Sequence, residues 1–445
     1  FMIDSYTKLF LKNKIEQFQK GEKSQAYTDL KNYALRYNNP IINYNLGLMS
    51  QELNKIDEAK THYNEAIKKE PTSWQAKFNL YLLLIKEKNY EQAIVLINSV
   101  LSIKKNYQPA LRDKALVLNY QDKPIEALKF IKKSIELNKS DYIALNILGL
   151  INKKINKFET AINSFKMAID INPNYIASYN NLSTCYSIKY DFITAKKILK
   201  KALKIDGEAF ETINNLANVY SQTGKYSEAI TYYEKALDKT NDKSDILYNI
   251  GVAYFYQKNF LYAEKYYKKS LQLNSDNNVL RKNYALLLLA QQKYSKAWDF
   301  YDGRLNLNDF LFKNSTLNNV KDKLWDNKKI NINDKILVIK EQGIGDEILF
   351  SNMYPDLLKN FPNCVIETEK RLLNIFRNSF NETNKFIEFG KFSKKRKELN
   401  KFDHIIYAGS LGKLFRKKLS DFPKKSHLTS NNLDKKLFNY FEKFE

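Results

Sequence analysis

The chain has 445 residues, 44% of them hydrophobic, which is enough for two or three globular domains. Its 73 lysines and arginines exceed its 49 aspartates and glutamates and give a net charge of +24, but the lysines are spread along the whole sequence, so we expect no nucleic-acid partner. Two cysteines and three histidines without metal-ligand spacing predict no metal site, and the absence of a membrane-spanning run or signal-peptide core predicts a cytoplasmic protein.

From residue 40 onward the sequence repeats with a strict period of 34 residues. Eight alanines mark one phase of this period and form what we name the alanine lattice: Ala59, Ala93, Ala127, Ala161, Ala195, Ala229, Ala263 and Ala297. A large residue follows each alanine by four positions, and a mostly small one follows by seven. This spacing is typical of one helix face that packs closely against a neighbouring helix.

The pattern resembles the tetratricopeptide repeat, a helix-turn-helix unit that stacks into a superhelical α-solenoid. We therefore predict eight repeats over residues 40–305, preceded by a degenerate helical capping pair over residues 1–39. Pro71 and Pro173 fall at repeat ends, as expected because proline stops a helix. A long coiled coil is the alternative, but it needs heptads and excludes regularly placed prolines and glycines.

One position of the first helix in most predicted repeats is asparagine. It lies fourteen residues before the lattice alanine, and six repeats carry the amide there: Asn45, Asn79, Asn181, Asn215, Asn249 and Asn283. Asp113 and Ile147 occupy this position in the other two repeats. An amide both donates and accepts hydrogen bonds, so this asparagine row predicts a protein or peptide partner held by its backbone in the concave groove. The alternative is that asparagine is simply common at this position in such repeats and in this asparagine-rich chain.

The alanine lattice ends where Asn331 replaces the next alanine. Residues 306–330 are polar in their first half and are predicted to form a linker. Residues 335–340 are apolar and β-branched, which predicts a buried parallel strand, and a helical pattern follows over residues 348–358. Three further strands are predicted at residues 364–367, 385–389 and 404–407. The sequence therefore predicts an α/β Rossmann-like half-domain over residues 331–445.

A turn with two glycines, Gly343 and Gly345, joins the first predicted strand to its helix. Glycine allows a sharp turn and a close approach to a ligand, and the start of a helix favours anions. With Glu341 just before them, these glycines form a predicted substrate loop. The dinucleotide-binding fingerprint is not met, because Ile348 stands where its third glycine would be.

Trp325, the strand and the segment from Glu341 to Phe350 together resemble the junction in bacterial tetratricopeptide proteins with a heptosyltransferase-like glycosyltransferase module of the GT-B type. The resemblance implies sugar transfer from a sugar nucleotide, as donor substrate and without a further cofactor, to a protein or glycan recruited by the repeats. It implies that Asp346 is the general base and that Lys340 stabilises negative charge or orients Asp346. The alternative for Asp346 is a first-turn acid favoured by the helix dipole.

The resemblance also implies a second Rossmann-like domain that holds the donor, and this sequence does not contain it. We therefore expect a fragment that cannot turn over by itself. A non-catalytic adaptor, in which the α/β segment only caps the repeats, is the alternative function. The basic stretch from Lys391 to Glu445, densest at residues 394–397, is predicted to be a solvated loop. The alternatives are contact with the phosphate groups of a nucleotide, peripheral contact with the lipid headgroups of a membrane, or contact with another chain.

Overall fold

The computed structural model describes residues 4–307, 320, 323–341 and 343–428. Part of the predicted linker and the end of the basic stretch, residues 429–445, lie outside the described residues. The chain divides into two compact units, Phe1–Val219 and Tyr220–Glu445. The division falls inside the repeats and not at the predicted linker.

Helical hairpins make up residues 5–301. The helices up to the division are α1 Ser5–Gln19, α2 Lys23–Arg36, α3 Pro40–Glu52, α4 Ile56–Lys69, α5 Trp74–Lys86, α6 Tyr90–Ile103, α7 Gln108–Tyr120, α8 Pro124–Leu137, α9 Tyr142–Lys154, α10 Phe158–Ile171, α11 Ile176–Ile188 and α12 Phe192–Ile205. The remaining helices of the repeats are α13 Phe210–Gln222, which spans the division, α14 Tyr226–Leu237, α15 Ser244–Tyr256, α16 Phe260–Leu273, α17 Asn278–Ala290 and α18 Tyr294–Tyr301. The eight hairpins from α3 to α18 follow the period of the alanine lattice.

Each of these eight hairpins turns through one residue in the left-handed conformation. The turn residues share one phase of the repeat and have φ between 57° and 73°: Asn54, Lys88, Asp122, Asn156, Tyr190, Gly224, Lys258 and Gln292. The N–H of the residue after each turn residue reaches back into the ending helix, as when Lys55 donates to the carbonyl of Ser50 at 2.8 Å. This bond defines a Schellman-type helix end. Seven hairpins therefore use this conformation without the glycine that would adopt it freely.

The alanine lattice is fully buried, with every member at 0% exposure. Wherever the first helix of a hairpin has glycine at its closest approach, the second helix presents an aromatic ring. An added Cβ would lie 2.4 Å from Tyr63 at Gly47, 2.4 Å from Phe165 at Gly149 and 2.5 Å from Tyr267 at Gly251. These separations are shorter than van der Waals contact, so the glycines make room for the rings.

The α/β segment contains one parallel sheet with the order β3-β2-β1-β4. Its elements are β1 Ile336–Ile339, α19 Ile344–Phe350, α20 Tyr354–Asn360, β2 Cys364–Thr368, α21 Leu373–Phe380, β3 Phe386–Glu388, β4 His404–Tyr407 and α22 Gly412–Phe415. The single helix predicted over residues 348–358 is wrong: a 3-10 turn at Ser351–Met353 divides it, and Pro355 lies in the first turn of α20. Proline is tolerated there because the first N–H groups of a helix have no partner within it.

The sheet and the last hairpin share one hydrophobic core within the second unit. Trp298 and Tyr301 of α18 lie in the same buried cluster as Ile336 and Val338 of β1. The indole N–H of Trp298 also donates to the carbonyl of Arg416 at 2.6 Å. The α/β segment therefore packs directly on the end of the repeats.

Candidate functional site

In the first unit, the asparagine row lies on the first helices of the hairpins, and its four members there are half-buried. Asn79 donates from Nδ2 to the hydroxyl of Tyr44 at 3.3 Å, and Asn181 donates to Oδ1 of Asn146 at 3.0 Å. Each acceptor lies on the first helix of an earlier hairpin, 35 residues before the donor. Asn45 instead bonds to a carbonyl of its own helix. The amide N–H groups of Asn79 and Asn181 therefore connect neighbouring hairpins.

The second unit repeats this arrangement. Asn283 donates from Nδ2 to the hydroxyl of Tyr248 at 2.6 Å, again across 35 residues, and Asn249 is half-buried. Among the described residues, no hydrogen bond reaches Oδ1 of Asn79, Asn181 or Asn283. Asn79, Asn181 and Asn283 thus use their donors within the protein and keep their carbonyl oxygens available as acceptors.

A second line of asparagines, which sequence reasoning missed, lies one position before the row. Asn146 accepts from the hydroxyl of Ser178 at 3.1 Å as well as from Asn181. Asn180 and Asn214 follow at the same phase, and their Oδ1 atoms are buried without a hydrogen-bond partner among the described residues. These asparagines recur with the same 34-residue period, so the sequence alone could have indicated them.

The break in the row at Asp113 is a charged cluster. Arg112 donates from Nε to Asp113 at 2.7 Å and from Nη1 to Asp141 at 3.3 Å. Burial raises the pKa of the Asp113 carboxyl, and Arg112 opposes part of that rise. Asp141 also caps α9 by accepting from the N–H groups of Ile143 and Ala144. The cluster therefore stabilises the hairpins where the amide is missing.

In the α/β segment, Asp346 is a first-turn acid of α19. It is half-buried, and its Oδ2 accepts from the N–H of Gly343, the residue that precedes the helix, at 3.3 Å. Lys340 forms an ion pair with Glu369 at 2.8 Å, and its ammonium lies 5.2 Å from the ring centre of Phe389. No hydrogen bond or ion pair joins Lys340 to Asp346 in the described part of the chain; Lys340 is paired with Glu369 instead.

The predicted substrate loop differs from expectation in its glycines. Neither Gly343 nor Gly345 has a positive φ, so the turn does not require glycine at either position. The expectation of a glycine-dependent sharp turn is wrong, because the chain enters α19 with extended backbone at Gly343. The space around Gly345 is open, since a Cβ added there would meet no atom within 4 Å.

Glu341, the third predicted member of the substrate loop, is enclosed by the protein. Arg304, from the 3-10 turn Asp302–Asn306 after α18, donates from Nε and Nη2 to its two carboxylate oxygens. Glu341 also accepts from the backbone N–H of Gly409, and Arg304 donates to the hydroxyl of Ser410 at 3.0 Å. The loop after β1 and the loop after β4 are thus both held by Arg304.

This ion pair lies at the edge of the sheet where open parallel sheets bind their ligands. In open parallel sheets, ligands bind beyond the carboxyl ends of the strands where the strand order reverses, which here lies between β1 and β4. A Cβ added at Gly409 would lie 2.5 Å from Glu341 and 2.9 Å from Arg304, so no space is left there. Burial alone would lower the pKa of Arg304, but Glu341 raises it above its ordinary value, so the guanidinium stays charged.

A second buried acid lies nearby. Glu347 of α19 is 1% exposed and accepts from the hydroxyl of Thr368 and from the N–H of Glu369. Burial raises the pKa of its carboxyl, and its other oxygen has no hydrogen-bond partner among the described residues.

Sequence reasoning missed Arg304, because its partner is fixed only by the tertiary fold. The one available signal was an arginine in a lysine-rich chain.

No group of three or more potential metal ligands occurs in the part of the chain that the structure describes. Over the same residues, every helix is too short or too polar to cross a bilayer.

Family models match three segments of the chain. A tetratricopeptide repeat model matches residues 44–107, the model of the N-terminal tetratricopeptide repeats region of Psidin matches residues 78–208, and another tetratricopeptide repeat model matches residues 208–274. These matches span the hairpins from α3 to α16 and end before the last hairpin and the α/β segment. No curated protein matches the chain.

Several solved structures are similar to part of this chain. A tetratricopeptide repeat protein from Parabacteroides merdae has a TM-score of 0.50 and 17% identity, over 55% of this chain and 98% of that protein. PilF of Pseudomonas aeruginosa has a TM-score of 0.40 and 19% identity, over 45% of this chain and 92% of PilF. TTC0263 of Thermus thermophilus has a TM-score of 0.37 and 21% identity, over 41% of this chain and 99% of that protein. Residues 44–274 are built of tetratricopeptide repeats, and the chain is a tetratricopeptide-repeat protein.

Proposed function

We propose that the chain is a non-catalytic scaffold whose repeats hold an extended segment of a partner protein and whose α/β segment caps the last hairpin. The observation that carries this proposal is that the amide donors and the carbonyl acceptors of the asparagine row have different partners. Nδ2 of Asn79, Asn181 and Asn283 donates to the preceding hairpin, while Oδ1 of the same three residues accepts no bond from the described residues. Carbonyl oxygens in such a row suit the backbone N–H groups of an extended peptide.

The second line of asparagines supports the same mode of binding. The buried Oδ1 atoms of Asn180 and Asn214 lack partners among the described residues. A buried acceptor without a hydrogen bond costs roughly 1–3 kcal/mol. A partner segment whose N–H groups reached these oxygens would recover part of that energy, and backbone groups offer the contact whatever the side chains.

The capping role of the α/β segment rests on its closed crevice. Arg304 and Glu341 fill the carboxyl edge between β1 and β4, where a nucleotide-binding sheet would hold its ligand. The same segment covers Trp298 and Tyr301 at the end of the repeats. A segment that shields an apolar hairpin and closes its own crevice fits a cap better than an open catalytic half.

An array of ten-residue peptides, probed with the full chain, tests the scaffold. We expect the peptides that bind to lose affinity about tenfold or more when Asn181→Ala and Asn215→Ala are combined, at about 1 kcal/mol per hydrogen bond. The matched control variant carries alanine at Asn98 and Asn163, which are exposed asparagines of second helices. It should bind the same peptides with the affinity of the parent. N-methylation of alternate peptide nitrogens should also weaken binding. Equal affinity of both double variants would contradict the proposal.

Glycosyl transfer is the second candidate. The strand order of the sheet and the place of Asp346 in the first turn after β1 favour it. Its test is calorimetric titration of sugar nucleotides into the chain. Saturable binding that Arg304→Ala strengthens would favour a donor site opened by loss of the Arg304 and Glu341 pair. Absence of binding to both proteins would exclude a donor site in this α/β segment.

A further inference from the structure

A cavity of about 550 Å³ lies in the second unit, beside the last helix of the repeats. Its walls come from α18, from residues 325–330 ahead of β1, from Phe361 after α20, and from residues 413–417 in and after α22. No member of the asparagine row or the predicted substrate loop lines it. The cavity is therefore separate from the sites described above.

The apolar part of the cavity is aromatic. Two of the three tryptophans of the chain, Trp298 and Trp325, line it together with Phe361. The indole N–H of Trp298 donates to the carbonyl of Arg416 at 2.6 Å, and that of Trp325 donates to the carbonyl of Lys328 at 2.8 Å. Because both indole N–H groups are already bonded within the protein, the rings contribute apolar surface to the cavity.

The polar part of the cavity is basic. Four lysines line it, against a single acid, Asp299. Lys413 is engaged by Asp302 at 2.6 Å, and Lys328 by Asp326 at 2.6 Å. The other two, Lys329 and Lys417, form no ion pair with any residue that the structure describes. Two ammonium groups are therefore available to a ligand.

We propose that this cavity binds a small anion that carries an aromatic ring, such as an aryl phosphate or an aryl carboxylate. A ring would pack on Trp298 and Trp325, and the anionic group would be held by Lys329 and Lys417. The volume lies within the range of about 300–1,000 Å³ that encloses small-molecule ligands. This proposal is independent of peptide binding by the repeats, because its residues take no part in the asparagine row.

The ligand must combine both groups. An inorganic anion would leave the aromatic wall uncovered, and a neutral ring would leave the two ammonium groups without a partner. The expected selectivity is therefore for a molecule that satisfies both walls at once, and it is measurable with simple probes.

Phenyl phosphate is the probe, titrated into the full chain with calorimetry and tryptophan fluorescence as readouts. Inorganic phosphate and benzyl alcohol each carry one half of its chemistry. We expect phenyl phosphate to bind at least tenfold more tightly than either and to quench fluorescence saturably. In Trp325→Phe the quench should fall while calorimetry still detects binding. An unchanged quench, or equal affinity for inorganic phosphate, would overturn the proposal.

The roles of Lys329 and Lys417 are tested by comparing two double variants that each remove two positive charges. Lys329→Gln combined with Lys417→Gln should weaken phenyl phosphate at least tenfold. Lys395→Gln combined with Lys397→Gln removes the same charge from exposed positions outside the cavity and should leave the affinity within twofold. Equal losses would show attraction to net charge alone and would overturn the site. Near-identical circular dichroism of all variants confirms that the comparison concerns folded protein.

Discussion

Arg304 donates to both carboxylate oxygens of Glu341, at 2.8 Å from Nε and 2.7 Å from Nη2, and each residue is only 1% exposed. The pair joins the turn after the last repeat helix to the loop after the first strand of the sheet. A charge-assisted bidentate pair fixes the relative geometry of two elements more strictly than apolar packing. The loop that would have to change shape around a ligand is therefore anchored to the repeats.

Breaking this pair should destabilise the second unit. Arg304→Leu leaves the Glu341 carboxylate buried without its partner, which typically costs about 3–5 kcal/mol. Chemical unfolding followed by tryptophan fluorescence measures the change. Adding Glu341→Leu to Arg304→Leu should recover part of the loss, because the uncompensated charge is removed. A single variant within 1 kcal/mol of the parent would show that the pair contributes little.

The left-handed hairpin turns predict a stabilising substitution. Lys258 is exposed and has φ of 60°, a conformation that costs a non-glycine residue roughly 1–2 kcal/mol. Glycine relieves this strain but loses more entropy on folding, by about 0.4–1 kcal/mol. Lys258→Gly should therefore raise the free energy of unfolding by about 0.5–1 kcal/mol.

The equivalent turn at Gly224, with φ of 73°, supplies the reciprocal control. Gly224→Ala should lower the free energy of unfolding by a similar amount. If both substitutions moved stability in the same direction, turn strain would not be the cause.

The contacts between helix glycines and aromatic rings predict that a glycine-to-alanine substitution lowers stability, whereas helix propensity predicts that it raises stability. Alanine is favoured over glycine in a helix by about 1 kcal/mol. A Cβ at Gly149, however, would lie 2.4 Å from Phe165, which is fully buried. Overpacking costs roughly 1–3 kcal/mol, so Gly149→Ala should lower the unfolding midpoint. In a Phe165→Leu background the same substitution should be neutral or stabilising, and thermal unfolding of the four proteins decides the point.

Acid should weaken the last hairpins through Glu264. Burial would raise the pKa of this carboxyl, but hydrogen bonds from Lys268 and Lys293 outweigh burial and lower the pKa from 4.5 to about 2. The ionised carboxylate therefore stabilises the fold fully above about pH 4.5, and this stabilisation is lost as the pH falls towards 2. Unfolding free energies across that range should fall less steeply in Glu264→Gln. Glu228→Gln, at an exposed position of the same unit, should retain the slope of the parent.

The sequence predicted the hairpins well because their determinants are local and recur. The alanine lattice and the large residues four positions later specify a packed helix face in every repeat, and that face is buried as expected. The four strands were also found, since each is a short apolar run. Residues 348–358 were misread as one helix because a 3-10 turn and a proline at the first turn of the next helix leave hydrophobic periodicity intact.

The candidate sites were less accessible to sequence reasoning. Arg304 and Glu341 are separated by 37 residues, and no local pattern relates them. Lys340 was matched to Asp346 by resemblance, whereas the fold pairs it with Glu369 from the turn after the second strand. The aromatic cavity draws on four separate segments. Sites of this kind depend on tertiary packing, which periodicity does not encode.

The shared core between the last hairpin and the sheet limits how this array could lengthen. A repeat inserted between existing hairpins of the second unit would keep the alanine lattice in phase and leave Trp298 and Tyr301 against the sheet. A repeat added directly after Tyr301 would compete with the sheet for the same surface. Growth in copy number is therefore compatible with the fold only upstream of the final hairpin, which has become part of a different architecture.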